Sequence, residues 1–211
     1  MMPPERHERL LDLAHRLLTS LESPVLARFL AHWPARGAAH PPGTLAPCAA
    51  GGTALPVLAW LPRIDARARG FAAGFVGCLC ECAASLDWRR TYAREEADPA
   101  FMRNYGWTEL ATSEAGAGAL KLSCGVLVLG PNTLYPPHFH EAEELYVPLH
   151  GLAEWQQGDC IWRLRSPGNV IHHSSEEPHA MRTGDDPLLA MYLWLSTDPS
   201  QSARLAPAST A

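Results

Sequence analysis

The stretch GPNTLYPPHFHEAEELYVPLHG, residues 130–151, decides how the rest of the chain must be arranged. It carries two histidines one residue apart, His138 and His140, then a run of carboxylates that includes Glu144, and it closes on a turn glycine. Because side chains on a strand alternate between faces, both histidines point the same way and can converge on one ion, while Phe139 points into the wall. The pattern predicts a metal site.

Further members of this site follow from spacing. Glu144 lies four residues after His140, which returns it to the same side, and Tyr146, two residues further on, shares that face. A fourth ligand must come from elsewhere, and PGNVIHHSSEEPHAM, residues 167–181, holds the other histidine cluster in this half. In that string a polar turn precedes His179 at the start of a strand. We expect two facing hairpins to place His179 opposite the first cluster.

Three imidazoles and one carboxylate suit several divalent ions and do not discriminate among Zn, Fe, Mn, Co and Ni. We therefore expect one divalent transition metal, with Zn or Fe preferred. Glu141 and Glu143 are expected to be solvated or to orient the histidines. His150, His172 and His173 are interpreted as structural.

Tyr146 is a candidate general base. A phenol has a pKa of about 10 in water, but a neighbouring divalent cation favours the phenolate. The alternative is an aromatic residue packed in a barrel core. Tyr135, just before the metal motif, has the same two interpretations.

Composition narrows the function classes. The 211 residues carry a net charge of −5 with scattered Lys and Arg, which excludes a basic nucleic-acid footprint and favours a small-molecule ligand. The sequence shows no signal-peptide pattern and no apolar run long enough to span a bilayer, so we expect a cytoplasmic protein without a membrane partner. Cys78, Cys80 and Cys82 fall in a helical pattern and are interpreted as packing residues.

The chain divides into a helical part and a strand-rich part. Residues 1–98 show amphipathic stripes, including one long helix expected from Asp65 to about Tyr92 after a loop over residues 34–56. Residues 99–196 read as many short strands separated by turns, as in an antiparallel sandwich or barrel. Residues 197–211 read as a frayed polar tail. The fold class is therefore mainly β with α, with an N-terminal helical region that packs on the barrel or mediates self-association.

The spacing H-x-H-x3-E-x6-G, from His138 to Gly151, matches the first motif of the cupin superfamily, and this resemblance implies a C-terminal double-stranded β-barrel, or jelly roll. The second cupin motif, G-x5-P-x-G-x2-H-x3-N, fits at Gly168 and His179. Ser174, Glu176 and Thr183 stand where it has proline, glycine and asparagine. Within the superfamily, residues from about 105 to 194 resemble the cupin-type dimethylsulfoniopropionate (DMSP) lyases, above all the Q and L types.

This resemblance implies a carbon–sulfur lyase that cleaves DMSP by β-elimination to dimethyl sulfide and acrylate. The implied metal ligands are His140, Glu144 and His179, with His138 contributing or standing by, and the implied catalytic residues are Tyr146 and Tyr135. The substrate-binding candidates are His138, Trp194 and Trp107. The two tryptophans are chosen because tryptophan faces attract a sulfonium cation. The implied partner is a small sulfonium carboxylate. A homodimer is compatible with the sequence but is not specified by it. Two alternatives also remain: another metal-dependent cupin enzyme, such as a dioxygenase or isomerase, and a non-catalytic cupin that binds a small ligand.

Overall fold

The computed structural model describes residues 3–34, 55–93, 96–113, 115–116, 118–198 and 200–207. These residues form two five-stranded antiparallel sheets preceded by helices, which confirms the predicted fold class. The strands are β1 (Tyr105–Thr112), β2 (Lys121–Leu129), β3 (Leu134–Phe139), β4 (Glu143–His150), β5 (Ala153–Gln157), β6 (Arg163–Arg165), β7 (Ile171–His173), β8 (His179–Thr183), β9 (Leu188–Ser196) and β10 (Arg204–Leu205). Sheet A has the order β1-β2-β9-β4-β7, and sheet B has the order β10-β3-β8-β5-β6.

The described helices are α1 (Pro4–Thr19), α2 (Pro24–Leu30), α3 (Leu61–Arg67), α4 (Ala73–Cys82) and α5 (Pro99–Arg103). The helix α2 begins as its sequence predicts, with Ser23 accepting a hydrogen bond from the backbone N–H of Leu26. None of the helices in the described part of the chain has the length and apolarity to span a bilayer. The loop expected over residues 34–56 lies almost entirely outside the described residues.

The single helix expected from Asp65 to about Tyr92 is wrong. The chain leaves helical geometry at Ala68, and Gly70 follows with φ of +63°, a conformation that ends a helix. After α4 the chain makes one 3₁₀ turn at Ala83–Ser85 and then extends, so that Arg89 forms a β-bridge with Trp107 of β1. The break lets this segment reach the edge of sheet A.

Sheet A is buried on both faces. On β9, Leu189, Met191, Leu193 and Leu195 pack in one core with residues of α1, α2, α3 and α4. The alternate residues of β9, such as Tyr192, pack instead in a second core with residues of sheet B. Side chains of period two thus serve two different layers, and the helices cover the outer face of the sheet.

The turn glycine of the first motif is required by its surroundings. Gly151 has φ of +84°, and a side chain there would overlap the backbone of Pro187. In the second motif Glu176 occupies the glycine position and also adopts a positive φ, of +59°. Its backbone N–H donates to the carbonyl oxygen of His140 at 2.8 Å, so this turn supports the metal motif despite the departure from the family pattern.

The C-terminal segment is more ordered than the frayed tail expected from sequence. Its strand β10 pairs with β3, with Arg204 opposite Phe139. The Arg204 guanidinium forms an ion pair with Glu176 at 3.0 Å and lies 4.6 Å from the centre of the Phe139 ring. The segment therefore borders the strand that carries the first histidines.

Candidate metal centre and cavity

Three predicted ligands come together between the two sheets. The ligand atoms of His140, Glu144 and His179 all lie within 4.8 Å of one another, and all three side chains are buried. Glu144 is on β4 of sheet A, His179 begins β8 of sheet B, and His140 follows the end of β3. His179 pairs directly with His138 across β3 and β8, so it lies beside the first cluster and not opposite it.

Backbone carbonyl groups orient the histidines. Nδ1 of His140 lies 2.8 Å from the oxygen of Ala142, and Nδ1 of His179 lies 2.8 Å from that of Glu177. A carbonyl can only accept, so each Nδ1 carries the proton and donates it. Each Nε2 is then the lone-pair atom that a metal needs, and both point at the carboxylate.

The geometry around the carboxylate fits a shared cation. Nε2 of His179 lies 3.1 Å from Oε2 of Glu144 but makes no hydrogen bond with it, whereas Nε2 of His140 lies 2.9 Å from the same oxygen. Burial disfavours the charged carboxylate, yet His140 and His179 hold the pKa of Glu144 well below its usual range. An ionised carboxylate and two imidazoles that converge on one point suit a divalent transition metal.

His138 lies outside this group of three. Its ring stacks on Tyr135 at 3.9 Å between centroids, with 4° between the planes, and its Nδ1 donates to the oxygen of Pro136 at 3.0 Å. Its centroid lies 4.2 Å from that of His179. Burial, followed by the nearby His179, lowers the pKa of His138 well below its ordinary value, so its imidazole is neutral.

The carboxylates next to Glu144 do not orient the ligands. Glu143 binds Arg28 of α2 and lies 2.6 Å from Nε2 of His172, which connects the helical layer to sheet A. Glu141 is exposed. Of the two expectations for these residues, a solvated side chain fits Glu141, while Glu143 contacts Arg28 and His172 and not the candidate ligands. Trp194 of β9 orients Glu144 itself, because its indole N–H donates to Oε1 of that carboxylate.

A cavity of about 530 Å³ opens beside the triad. It is lined by the predicted site residues Trp107, Tyr135, His138, Glu144, Tyr146 and Trp194. It is also lined by residues that the sequence interpretation missed, among them Glu109, Tyr192 and the C-terminal residues 200–203. The available signal for Glu109 was its spacing, because Tyr105, Trp107 and Glu109 follow one another at every second position and therefore share one face of the strand.

The two candidate tyrosines differ in their surroundings. The Tyr135 hydroxyl lies 3.1 Å from that of Tyr92 and 3.3 Å from that of Tyr105. Tyr146 is buried, and burial together with the Glu144 charge raises its pKa well above 10. A phenolate at Tyr146 therefore requires a nearby cation.

His173 packs against His179, one of the three candidate ligands. It is fully buried, and its ring stacks on that of His179 at 4.1 Å with 15° between the planes. Neither ring nitrogen has a hydrogen-bond partner among the described residues. Burial is the main cause that lowers the pKa of His173 to about 3, so it packs as a neutral ring.

Comparison with known proteins assigns this chain to a family. The family model described as dimethylsulfoniopropionate lyase matches residues 44–190, more than half of the chain. The chain belongs to the DMSP lyase family. DddL of Cereibacter sphaeroides is 31% identical over 146 residues, which are 68% of this chain and 60% of that protein. The DMSP lyase DddQ of Ruegeria pomeroyi is 33% identical over 111 residues, 53% of this chain and 55% of that protein. The matches thus span less than two thirds of the curated relatives.

Solved structures from the DMSP lyase family superimpose over nearly the whole chain. The crystal structure of DddQ from Ruegeria pomeroyi matches with a TM-score of 0.75 and 25% identity, covering 96% of each chain. A structure from a study of the DMSP lyases RdDddP and RnDddQII also gives a TM-score of 0.75, with 27% identity, covering 97% of this chain and 100% of that one. The helical layer and the barrel therefore both belong to the shared architecture.

Proposed function

We propose that this protein is a metal-dependent carbon–sulfur lyase that cleaves DMSP by β-elimination to dimethyl sulfide and acrylate. The observation that carries the proposal is the position of Tyr146, which lines the same cavity as Glu144 and lies close enough for that carboxylate to affect its pKa. A buried acid–base group beside a metal triad is what proton abstraction next to a carboxylate requires. Membership of the family and the relatives named as DMSP lyases support the substrate.

His140, Glu144 and His179 would hold one divalent transition metal, Zn or Fe by preference, with His138 at its edge. When bound, the ion supplies a positive charge that attracts the substrate carboxylate, acidifies the adjacent C–H and favours the phenolate of Tyr146. Glu144 keeps its orientation through Trp194, whose indole N–H donates to Oε1.

Tyr146 would remove the proton from the carbon next to the carboxylate. The released electron pair forms the carbon–carbon double bond, and the C–S bond breaks with its electrons on sulfur. Dimethyl sulfide leaves as a neutral molecule, so no acid is needed for the leaving group. Tyr135 and His138, which stack on each other in the cavity wall, would position the substrate.

The sulfonium group requires a surface that attracts a cation without hydrating it. Trp107 and Trp194 both line the cavity and offer such faces. The Trp194 ring lies 4.3 Å from the ring of His140, which places it at the metal end of the cavity. Trp107 lies on β1, two strands away from Trp194.

The test is a headspace assay for dimethyl sulfide on purified protein reconstituted with Zn or Fe, with acrylate measured in the same samples. We expect equal amounts of both products from DMSP and neither product from the protein treated with a chelator. Metal-loaded protein that releases no dimethyl sulfide would contradict the proposal and favour the other cupin activities.

A further inference from the structure

A row of side chains crosses sheet A from the proposed base to the edge strand. Tyr146 on β4 pairs with Tyr192 on β9, Tyr192 pairs with Gly125 on β2, and Gly125 pairs with Glu109 on β1. Residues that pair across antiparallel strands have side chains on the same face. Tyr146, Tyr192 and Glu109 therefore all face the cavity, which each of them lines.

The glycine in this row lets the tyrosine ring lie across β2. A side chain at Gly125 would overlap the phenol group of Tyr192, so the ring extends over Gly125 towards β1. There it makes an edge contact with Trp107, with 6.2 Å between centroids and 81° between planes. On its other side it contacts Trp194 at 6.3 Å. The three rings form a continuous aromatic wall.

Glu109 places a negative charge at the β1 end of this wall. It is only 8% exposed, and among the described residues that line the cavity the acidic ones are Glu109 and Glu144. Burial raises the pKa of Glu109, although Thr112 and the charge of Arg89 oppose this. Arg89 itself binds Asp87, with Nε 2.8 Å from the carboxylate. Arg89 and Arg90 also line the cavity, so Glu109 has cationic neighbours, and an onium group held against the aromatic wall would share this carboxylate with them.

We propose that Glu109, Tyr192 and Trp107 form a subsite for the cationic end of onium carboxylates, whether sulfonium or quaternary ammonium. Aromatic faces and one buried carboxylate attract a weakly hydrated onium group. An uncharged group of the same shape gains neither the cation–π contact nor the attraction to the carboxylate. The inference rests on the proposed function, since the carboxylate end of the ligand is assigned to the metal. The subsite makes the charge of the ligand, and not its size alone, the basis of selection.

The experiment compares two ligands that cannot release dimethyl sulfide. One is trimethylammoniopropionate, and the other is its isostere without the positive charge, in which a tert-butyl group replaces the trimethylammonium group and the carboxylate is kept. Their dissociation constants are measured by isothermal titration calorimetry on the full chain reconstituted with Zn. We expect the cation to bind about 10-fold more tightly than the isostere.

Glu109→Gln should remove most of this preference by weakening the cation alone, because it deletes the charge and keeps the shape. The matched control is Glu154→Gln, which makes the same charge change on the outer face of sheet B, where Glu154 binds Arg182. That control should keep the full preference. If Glu109→Gln fails to fold, Tyr192→Leu replaces it and should also lower the preference, because it removes the central ring.

Equal affinity of the unmodified protein for both ligands, or an undiminished preference in Glu109→Gln, would overturn the subsite. The outcome is separable from that of the proposed function. A cation preference lost in Glu109→Gln, in a protein that releases no dimethyl sulfide, would leave the subsite standing and contradict the lyase. Dimethyl sulfide release with an unchanged preference in the variant would do the reverse.

Discussion

The indole N–H of Trp194 donates a 2.6 Å hydrogen bond to Oε1 of Glu144. The other oxygen of the same carboxylate, Oε2, faces His140 and His179. One oxygen is therefore held by the adjacent strand β9, while the other remains directed at the point where the histidines converge. Such hydrogen bonds to a ligand fix its orientation and strengthen metal binding.

Trp194→Phe removes this hydrogen bond and keeps an aromatic ring. We expect metal affinity to fall by about 10-fold, the scale for a lost partner of a ligand. Competition with a chromophoric chelator measures it. Trp162→Phe is the matched control, because Trp162 lies against Arg182 on the outer face of sheet B. Equal affinities in both variants would show that the indole does not orient Glu144.

Metal content should separate the ligands from their neighbour. Elemental analysis of purified His140→Ala and His179→Ala is expected to show loss of the ion, because each removes one of three converging donors. His138→Ala should retain more of it, since His138 lies outside that group. Equal metal content in the unmodified protein, His140→Ala and His179→Ala would overturn the site.

Tyr146→Phe removes only the phenol oxygen. We expect fold and metal content to persist and kcat to fall by about 10²-fold or more, the scale for a lost acid–base group. Tyr135→Phe should act mainly on KM, because its hydroxyl is engaged with Tyr92 and Tyr105. Kinetics of dimethyl sulfide release provide the measurement. Near-normal release by metal-loaded Tyr146→Phe would make this tyrosine a packing residue.

His173 should make the metal-free protein sensitive to acid. Its pKa is about 3 in the fold and about 6.5 when unfolded, so the unfolded chain binds more protons between these values. The contribution to stability is complete above pH 6.5 and declines as the pH falls towards 3, by a few kcal/mol in all. Urea unfolding with a chelator present, at several pH values, measures it. His173→Leu should show a shallower decline, and an unchanged slope would contradict the assignment.

Glu176 adopts a left-handed conformation that costs a residue with a Cβ about 1 kcal/mol. Glu176→Gly should relieve this and raise the free energy of unfolding, since the exposed ion pair with Arg204 contributes little. Glu176→Ala loses the same ion pair but keeps the strain, so it is the control and should not stabilise. Thermal unfolding distinguishes the two, and equal effects would show that the turn is not strained.

The convergence of His140 and Glu144 could be predicted because its signal is local, whereas His179 comes from a separate stretch of the chain. The spacing of His138, His140 and Glu144 sets their faces on one short stretch, and Tyr146 follows by the same alternation. That His138, Glu144 and Tyr146 share a cavity with tryptophans was expected only through the family resemblance, and the structure places them around one cavity with Trp107 and Trp194.

Other features depend on which strands become neighbours. Glu109 and Tyr192 are 83 positions apart in the sequence. They line the same cavity because β1 and β9 both pair with β2. The C-terminal strand β10 has only two residues, too few to show an alternating pattern, and it forms by pairing with β3, which lies far away in the sequence. The prediction of one helix from Asp65 was wrong because Gly70 adopts a positive φ, which helix propensity alone does not specify.

On strand β4 of sheet A, consecutive residues face alternately the cavity and the helical layer. Leu145 is fully buried against the helical layer, and its neighbours in sequence are the proposed ligand Glu144 and the proposed base Tyr146. A change in helix packing can thus shift the strand that carries both groups without altering any residue of the cavity. Substitutions in the N-terminal helices are therefore expected to change turnover while every residue that lines the cavity stays the same.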